Sequence, residues 1–581
     1  MKIYNSTHNF FRGENLNSVD KLVMYNKYTE IDSIELVKNE EFGFFVTFMS
    51  DNKCYVNLEN EYDLPWWGLD KRYRVKVESD LDISSHLIGY VKDDDGIEKA
   101  DIILNEKACE FPQGEVPIFI EGRIPKDYDS ESTEIVVKLY SSTGYKVEKL
   151  MCEKSITVKV INFQLDMNID DSFYLDLWQH PSSWARVYGL DYFSDKHFEI
   201  IERYIKELAK LGQKVIDLVV SDFPWAGQMC FCVEKNHSRL YEYNIVNIKR
   251  KNGNIVCDFK NMDRYIEICM NYGIKDEINI FGIIGNWHKY DFGFPIKSYG
   301  DPIRLKVYDE DKGVYDFIRE KDELRTYIKL LFDHLDELGV LGITKVIGDE
   351  PSSNNLFMEY SNFLENISGR KLSFKYALHN ESFFEAYHGD LESFSINTIL
   401  LGSFKKDVKK YNKFIDNSHK MTWYSCCFPK DFNIFIKNPL IEARYMGVYT
   451  YLWKLKGMLR WSYGIYVENI WLDIRYKSEK WAAGDMLIVY PGKNGEITHS
   501  LREKNMLYGI QDFNIFKKID KKGIYIPKEL RNKLSMTGDI NEIDGRVILD
   551  EYINIEDYKK IRNDMIKEML RIDKNEIFLD S

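Results

Sequence analysis

Hydrophobic and polar positions alternate with a period of two between about residues 31 and 162. Short β-branched and aromatic runs such as Phe44-Phe45-Val46-Thr47-Phe48 and Tyr73-Arg74-Val75-Lys76-Val77 are separated by polar clusters such as Asp93-Asp94-Asp95-Gly96. Alternating strands with regularly spaced turns and no helical stretch between them are typical of two packed β-sheets. The sequence therefore predicts an N-terminal β-sandwich over residues 1–165.

The pattern changes near residue 165, where buried-type strands begin to alternate with helical periods. Ser194 precedes the apolar positions of one such helix as an N-cap, and Gly212 ends it. Strands are predicted at Phe173–Trp178, Lys214–Ser221, Ile278–Ile284, Lys345–Gly348, Ser373–Leu378, Ser395–Leu401, Met421–Ser425 and Met458–Ser462. Helical patterns are predicted at about 261–272, 321–339, 354–367, 405–418, 438–456 and 500–516.

Strand–helix alternation implies parallel pairing through right-handed crossovers, and eight such units that close on themselves form a TIM barrel. The sequence thus predicts a (β/α)8 barrel over residues 166–516. An open doubly wound sheet is the alternative, but no Gly-x-Gly-x-x-Gly turn follows the first strand. Residues 517–581 are predicted to be a C-terminal extension on the barrel exterior, with a short β-rich stretch before an amphipathic helix at Ile555–Ile572.

The composition limits the kinds of ligand and the cellular compartment that are expected for this protein. A formal net charge of −14 argues against nucleic acid as a ligand, because phosphate binding needs clustered Lys and Arg. No apolar run reaches the roughly 18 residues of a membrane span, and the first residues lack the apolar core of a secretory signal. Nine scattered cysteines suit free thiols in a reducing compartment. A cytoplasmic protein without membrane insertion is expected, and the sequence sets no oligomeric state.

Two adjacent carboxylates, Asp349 and Glu350, end the predicted fourth barrel strand before Pro351. Active sites of TIM barrels lie at the carboxyl ends of the strands. Close carboxylates repel, so one keeps its proton at neutral pH while the other stays ionised, which is the division of labour that glycoside hydrolysis needs. Because neighbouring residues approach a sugar from nearly the same side, the arrangement favours substrate-assisted catalysis, in which the sugar's own 2-acetamido oxygen attacks C1.

Several segments resemble glycoside hydrolase family 123. They are Asp176-Leu177-Trp178-Gln179-His180-Pro181, Gly348-Asp349-Glu350-Pro351, Leu459-Arg460-Trp461-Ser462-Tyr463-Gly464, Gly484-Asp485 through Tyr490-Pro491-Gly492, Ser500-Leu501-Arg502-Glu503 and Gly509-Ile510-Gln511-Asp512. The resemblance covers roughly residues 170–520. It implies a β-sandwich followed by a (β/α)8 domain and β-N-acetylgalactosaminidase activity on glycans of glycosphingolipid type. It also implies that Asp349 orients the acetamido group and that Glu350 is the acid/base.

Other candidate sugar-binding residues follow from their position at predicted strand ends. Aromatic rings stack on apolar sugar faces, and hydroxyl groups need fixed donors and acceptors. Tyr424 is the favoured hydrogen-bond donor to the acetamido oxygen. The full set is His180, Trp287, His288, Tyr376, His379, Asn380, Trp423, Tyr424, Arg460, Trp461, Tyr463 and Asn469.

Three classes of function remain open on the residues alone. The first is an exo-acting retaining β-N-acetylgalactosaminidase or, with the opposite configuration at C4, an N-acetylglucosaminidase. The second is a metal-dependent barrel hydrolase that uses His180, His288 and His379, although these histidines lack a recognised ligand spacing. The third is a non-catalytic carbohydrate-binding protein. The first class needs no cofactor or metal, and its partner is a glycan with a terminal 2-acetamido sugar.

Overall fold

A computed structural model gives the structure of the chain. It describes residues 1–13, 20–58, 71–143, 146–222, 242–284, 305–349, 354–378, 393–397, 421–426, 433–467, 469–475, 481–528, 540–541, 546–547 and 554–579. The predicted helix at 405–418 lies outside these residues.

The N-terminal region consists of two six-stranded sheets, called here the N-terminal sheets. Their strands are β1 Lys2–Asn5, β2 Phe11–Arg12, β3 Ser33–Lys38, β4 Glu41–Ser50, β5 Cys54–Asn57, β6 Arg72–Glu78, β7 Ile83–Lys92, β8 Glu98–Ile103, β9 Ala108–Phe111, β10 Gly114–Arg123, β11 Ser132–Ser142 and β12 Lys149–Gln164. The strand orders are β1-β4-β10-β7-β8-β2 and β3-β12-β11-β6-β5-β9. A short helix, α1 Asp20–Asn26, lies between β2 and β3.

The two N-terminal sheets share one apolar core. Val46 and Ile118 of the first sheet and Val75 and Val137 of the second are buried in the same cluster. Along β4 the cluster takes every second residue from Phe42 to Phe48, since successive side chains of a strand point to opposite faces. The predicted β-rich region is confirmed, and its strands include β1, which pairs with β4 from residue 2 and precedes the alternating pattern seen from about residue 31.

The strands that follow are shorter. They are β13 Tyr174–Leu177, β14 Val215–Val219, β15 Asn247–Lys251, β16 Asn254–Asp258, β17 Glu277–Phe281, β18 Lys306–Asp309, β19 Val314–Phe317, β20 Thr344–Asp349, β21 Ser373–Leu378, β22 Ser393–Asn397, β23 Met421–Tyr424, β24 Gly457–Arg460, β25 Tyr490–Pro491, β26 Ile497–Thr498, β27 Ile540–Asn541 and β28 Arg546–Val547. The helices are α2 Pro181–Val187, α3 Asp195–Leu211, α4 Lys260–Asn271, α5 Lys321–Glu337, α6 Asn354–Ser368, α7 Leu440–Leu452, α8 Leu501–Asp520 and α9 Ile555–Leu579, with 3-10 turns at Leu341–Ile343 and Lys493–Gly495.

Eight of these strands form one parallel sheet, called here the large sheet. Its order is β13-β24-β23-β22-β21-β20-β17-β14, so the first strand pairs with the last and the others follow in chain order. The two end strands also approach each other, because the backbone N–H of Lys214 donates to the carbonyl of Leu175 at 3.0 Å. All eight predicted strands are present among the described residues, with ends that differ by a few residues, and positions 398–401 of the predicted sixth strand lie outside the described residues. Two hairpins that were not predicted, β15–β16 and β18–β19, form a separate four-stranded sheet.

Local sequence signals explain where the helices begin and end. The Ser194 hydroxyl accepts from the backbone N–H of His197 and caps α3, and Gly212 ends that helix in the left-handed region with φ 97°. Helices α7 and α8 cross where two glycines meet, since a Cβ on Gly447 would lie 1.8 Å from the carbonyl oxygen of Gly509. Only residues without a side chain permit this approach.

The C-terminal part packs on both sheet regions. Helix α8 continues to Asp520, past the predicted boundary at residue 516. In α9, Tyr558 packs on Tyr445 of α7, and Arg562 pairs with Glu40 of the N-terminal region at 2.7 Å. Within the described residues, none of the helices combines the length and apolar character needed to cross a membrane.

Candidate active site

The inner face of the large sheet is identified by ion pairs that cross it. Lys375 of β21 donates to Asp176 of β13 at 2.5 Å and to Glu277 of β17 at 2.7 Å, although neither strand is next to β21 in the sheet. The sheet must therefore curve so that side chains on this face meet. Lys345 of β20 also pairs with Glu277, at 2.9 Å.

Asp349 lies on this inner face at the carboxyl end of β20. Asp349 pairs with Ala377 and Lys375 pairs with Ile347 in the parallel register, and alternate residues share a face, so Asp349 and Lys375 point to the same side. Gly348 points to the opposite side, where a Cβ would lie 2.8 Å from the Phe357 ring of α6. The glycine thus lets α6 pack directly on the strand that ends in Asp349. Glu350 lies outside the described residues.

A layer of buried polar residues supports the inner face below Asp349. Burial alone would raise the pKa of Glu277, but the ammonium groups of Lys375 and Lys345 outweigh it and lower the pKa to about 2. Burial raises the pKa of Asp217 well above its usual value, and the nearby Asp176 adds to this. Asn279 donates to both aspartates, at 3.4 Å to Asp176 and 3.2 Å to Asp217.

This polar layer was not predicted. Its signal is present in the sequence, because Asp176, Asp217 and Lys375 are charged residues inside otherwise apolar strands that are buried on both faces. Charged side chains are rarely buried unless they are paired. Such residues on several parallel strands could have been assigned to one paired layer.

Tyr424 lies on the same inner face as Asp349. Ala377, which pairs with Asp349, also pairs with Ser395 of β22, and Ser395 pairs with Thr422 of β23. Tyr424 is two residues further along β23, so its side chain points to the same face. The Tyr424 side chain is buried. The Tyr424 side chain therefore belongs to the carboxyl end of the face on which Asp349 lies.

Tyr376 and Trp423 were predicted to contact sugar, but the structure places both on the outer face. The Tyr376 ring packs on Phe357 of α6 with the ring centroids 4.6 Å apart. The Trp423 indole N–H donates to the Thr450 hydroxyl of α7 at 2.8 Å. These contacts give both rings a packing role between the large sheet and its helices, and they argue against the predicted sugar contact.

Trp461 directly follows β24 and is held by its indole nitrogen. That N–H donates to Asp485 Oδ1 at 3.2 Å, and the same oxygen accepts from Arg460 Nη2 at 2.9 Å. Arg460 is fully buried and also donates to the carbonyl of Ser425 at 3.0 Å. Arg460 is therefore an internal support of this corner, and Trp461, which keeps 9% of its surface exposed, is the residue of the pair nearer to solvent.

His180 is buried and bonds through Nε2 to the carbonyl of Trp461 at 2.8 Å. Burial lowers the pKa of His180 to about 3, so the ring is neutral at physiological pH and Nε2 donates. Tyr463 is also fully buried, and its hydroxyl donates to Glu503 of α8 at 3.2 Å. Both residues thus connect the strand ends to neighbouring segments.

The remaining predicted residues are placed as follows. Asn469 is exposed in a turn, where its carbonyl accepts from the backbone N–H of Leu472 at 2.9 Å. Trp287, His288, His379 and Asn380 lie outside the described residues. Among the residues that are described, the structure brings Asp349 and Tyr424 to the carboxyl edge of one face, with His180 bonded to Trp461 after β24.

Comparison with known proteins gives a family match and a solved structure of similar fold. The family model described as glycoside hydrolase 123, catalytic domain, matches residues 178–519. A family 123 glycoside hydrolase from Clostridium perfringens, studied for glycolipid glycan hydrolysis, superimposes with a TM-score of 0.73 at 16% identity, over 100% of this chain and 99% of that one. A family 5 glycoside hydrolase from Bacteroides vulgatus gives a TM-score of 0.31 at 11% identity, over 59% of this chain and 66% of that one. No curated protein matches the chain.

Proposed function

Because the chain belongs to glycoside hydrolase family 123, we propose that it is a retaining exo-β-N-acetylgalactosaminidase that removes terminal N-acetylgalactosamine from glycans of glycosphingolipid type. The observation that carries this proposal is the position of Asp349, at the carboxyl end of β20 on the face crossed by the Lys375 ion pairs. Glu350 follows it directly in the sequence. The similar fold of the C. perfringens enzyme, whose study concerns glycolipid glycans, supports the choice of substrate class.

The proposed architecture is a closed (β/α)8 barrel behind an N-terminal β-sandwich. Three observations support closure. The first and last strands of the large sheet pair, the backbone of Lys214 bonds to Leu175 between the end strands, and Lys375 reaches Asp176 across the enclosed face. In such a barrel the strand ends converge on the substrate.

In the first half-reaction, the acetamido oxygen of the bound sugar attacks C1. Asp349 accepts a hydrogen bond from the acetamido N–H and orients the acetamido group. Glu350 donates its proton to the glycosidic oxygen as the bond between C1 and that oxygen breaks. The products are the free aglycone and a cyclic oxazolinium ion. In the second half-reaction, the Glu350 carboxylate takes a proton from water, whose oxygen attacks C1 and reopens the ring with retained configuration.

Two aromatic residues are assigned to sugar binding on their placement. The Tyr424 hydroxyl donates a hydrogen bond to the acetamido oxygen, and its position on the inner face supports this role. Trp461 stacks on the apolar face of the sugar, since aromatic rings pack well against C–H surfaces. Its indole bond to Asp485 at 3.2 Å fixes the plane of the ring.

A screen of 4-nitrophenyl β-glycosides that differ at C2 and C4, with EDTA in a parallel series, tests the proposed function. We expect cleavage of the N-acetylgalactosaminide, unaffected by EDTA, and no efficient cleavage of the galactoside that lacks the N-acyl group. Preference for the N-acetylglucosaminide would show that the enzyme removes N-acetylglucosamine and not N-acetylgalactosamine. Loss of activity in EDTA would favour a metal-dependent hydrolase, and no turnover of any glycoside would favour a binding protein.

Two variants test the roles of the carboxylates. We expect Glu350→Gln to lower kcat/KM by about 10²-fold or more on a glycoside with a poor leaving group, and by less on the 4-nitrophenyl substrate, which needs little protonation. Asp349→Asn should lower kcat on both substrates by about 10²-fold, because it weakens formation of the cyclic intermediate. Glu310→Gln, which removes a partly exposed carboxylate from an ion pair with Lys249, is the control. Wild-type rates for Glu350→Gln on the poor leaving group would show that the acid is elsewhere.

A further inference from the structure

The hairpin formed by β7 and β8 of the N-terminal region contacts a distant segment of the chain, residues 481–500. The backbone N–H of Ile103 donates to the carbonyl of His499 at 3.0 Å, and Ile102 forms a bridge with Ser500. At the tip of the hairpin, the Asp94 carboxylate accepts from the backbone N–H of Ala483 at 3.3 Å. The hairpin therefore fixes the segment at both of its ends.

Asp101 of β8 forms a buried ion pair with Arg502 of α8. Arg502 Nε lies 3.0 Å from Asp101 Oδ1, and Nη2 lies 2.9 Å from Oδ2. The Tyr490 hydroxyl donates to the same Oδ2 at 2.6 Å. Both charged side chains are almost completely buried, and bidentate pairing of this kind sets the orientation as well as the position of the guanidinium group.

The remaining nitrogen of Arg502 holds the backbone around Asp485. Nη1 donates to the carbonyl oxygens of Gly484 at 3.0 Å and Leu487 at 3.1 Å, and it also reaches the carbonyl of Ile434 at 2.8 Å. Gly484 adopts φ 87°, and a Cβ there would lie 2.8 Å from Nη1, so the backbone lies directly against the guanidinium group. Arg502 thus fixes the peptide units on both sides of Asp485.

Asp485 in turn orients the aromatic residue at the carboxyl edge of the large sheet. Its Oδ1 accepts from the Trp461 indole N–H at 3.2 Å and from Arg460 at 2.9 Å. A continuous series of polar contacts therefore runs from Asp101 through Arg502 and the backbone of Asp485 to the ring of Trp461.

We propose that Asp101 of the N-terminal region is a positioning residue for the glycosidase reaction, and that it acts through Arg502 and Asp485 to hold the Trp461 ring against the sugar. The N-terminal region then supports the substrate site through these contacts. The proposal rests on the function proposed above for Trp461. It also assigns a role to the Gly484-Asp485 and Arg502 motifs, which the carboxylate chemistry leaves unexplained.

The decisive variant is Asp101→Asn, which keeps the shape of the side chain but removes the charge that orients Arg502. Glu40→Gln is a matched control, because Glu40 and Arg562 also form a buried ion pair between the N-terminal region and a C-terminal helix, with distances of 2.7 and 3.1 Å. Within the described part of the chain, Arg562 of this pair also donates to Asp512 of α8, and the pair does not bond to the segment around Asp485. Both variants are first compared by Tm, and kinetics are measured at least 15 °C below the lower value.

For the aryl N-acetylgalactosaminide, we expect Asp101→Asn to raise KM about tenfold with a smaller change in kcat, since stacking on Trp461 binds substrate and transition state alike. Glu40→Gln should leave both constants within twofold of wild type. In a Trp461→Phe background, Asp101→Asn should add less than a twofold change in KM, because the ring that it positions has lost its indole N–H. Equal kinetic effects of the two carboxylate variants, or full additivity with Trp461→Phe, would overturn the positioning role.

Hydrogen–deuterium exchange provides a readout that does not depend on activity. The backbone N–H of Asp485 donates to Ala482, and that of Ile488 donates to Tyr463, so Asp101→Asn should speed exchange in residues 483–488, whereas Glu40→Gln should not. Unchanged exchange in Asp101→Asn would also overturn the proposal. If the wild type cleaves no glycoside, the proposed function fails, and the exchange experiment still decides whether Asp101 holds the segment.

Discussion

Removal of the Lys375 ammonium group by Lys375→Met tests how strongly the buried polar layer holds the large sheet together. Methionine has a similar volume, so the change mainly removes charge. Asp176 loses a cation at 2.5 Å, and Glu277 loses one at 2.7 Å but keeps its ion pair with Lys345. All of these side chains are buried. We therefore expect the variant to fold with much lower stability.

The expected magnitude follows from two independent considerations. Breaking a buried ion pair by removing one partner typically costs about 3–5 kcal/mol. The pKa of Glu277, lowered from 4.5 to about 2 by Lys375 and Lys345 against the effect of burial, corresponds to roughly 3 kcal/mol from the two lysines together, of which Lys375 supplies a part. At roughly 2–4 °C per kcal/mol for large domains, Tm should fall by about 6–20 °C.

The assay is thermal unfolding followed by far-UV circular dichroism at pH 7. Asp176→Asn combined with Lys375→Met leaves the Glu277–Lys345 pair intact, so the double variant should recover about 2 kcal/mol or more of the loss. Lys329→Met, which breaks an exposed pair with Asp333 on α5, should change stability by less than about 1 kcal/mol. A Tm within 2 °C of wild type for Lys375→Met, or no recovery in the double variant, would show that the layer does not stabilise the sheet.

Two further perturbations test packing and titration. Gly509→Ala should lower the free energy of unfolding by about 3 kcal/mol or more, because its Cβ would lie 2.2 Å from the carbonyl oxygen of Arg444 and α7 and α8 would have to separate. Gly342→Ala is the control, since a Cβ there meets nothing within 4 Å and the change should be close to neutral. Equal effects of the two variants in thermal unfolding would refute this explanation. Burial lowers the pKa of His180 to about 3. Below pH 6.5 the unfolded chain therefore binds a proton at this residue that the folded chain does not bind. The contribution of His180 should lower the free energy of unfolding by about 2 kcal/mol between pH 6.5 and 5. His180→Gln should flatten the dependence of Tm on pH in that range, and parallel profiles would contradict this.

The sequence predicted the strands of the large sheet because a parallel sheet covered by helices needs apolar runs at regular intervals. The two ends of α3 were also predicted, because the Ser194 hydroxyl caps its first turn and Gly212, which has no side chain, adopts the left-handed conformation that ends it. The hairpins β15–β16 and β18–β19 lie outside this repeating pattern, and nothing in the periodicity predicts them.

The orientation of each strand was harder to predict than its presence. In β21 the residues Lys375 and Tyr376 are neighbours, and in β23 Trp423 and Tyr424 are neighbours. Because both faces of these strands are buried, hydrophobicity does not indicate which face points inward. The inward direction is set by the partners of Lys375, which come from distant strands, so the sequence alone does not show on which face Tyr376 and Trp423 lie.

The pairing of Glu40 with Arg562 has a consequence for how the protein is made. The two residues are separated by 522 positions, so at the roughly 5–20 residues per second of translation the acid leaves the ribosome about half a minute to two minutes before its guanidinium partner. Burying a carboxylate without a counter-ion is unfavourable in free energy, so the Glu40 carboxylate must stay hydrated in the nascent chain until Arg562 has been synthesised. Helix α9 therefore completes an N-terminal sheet that is synthesised long before it, and a chain that stalls before residue 562 lacks the guanidinium partner of Glu40.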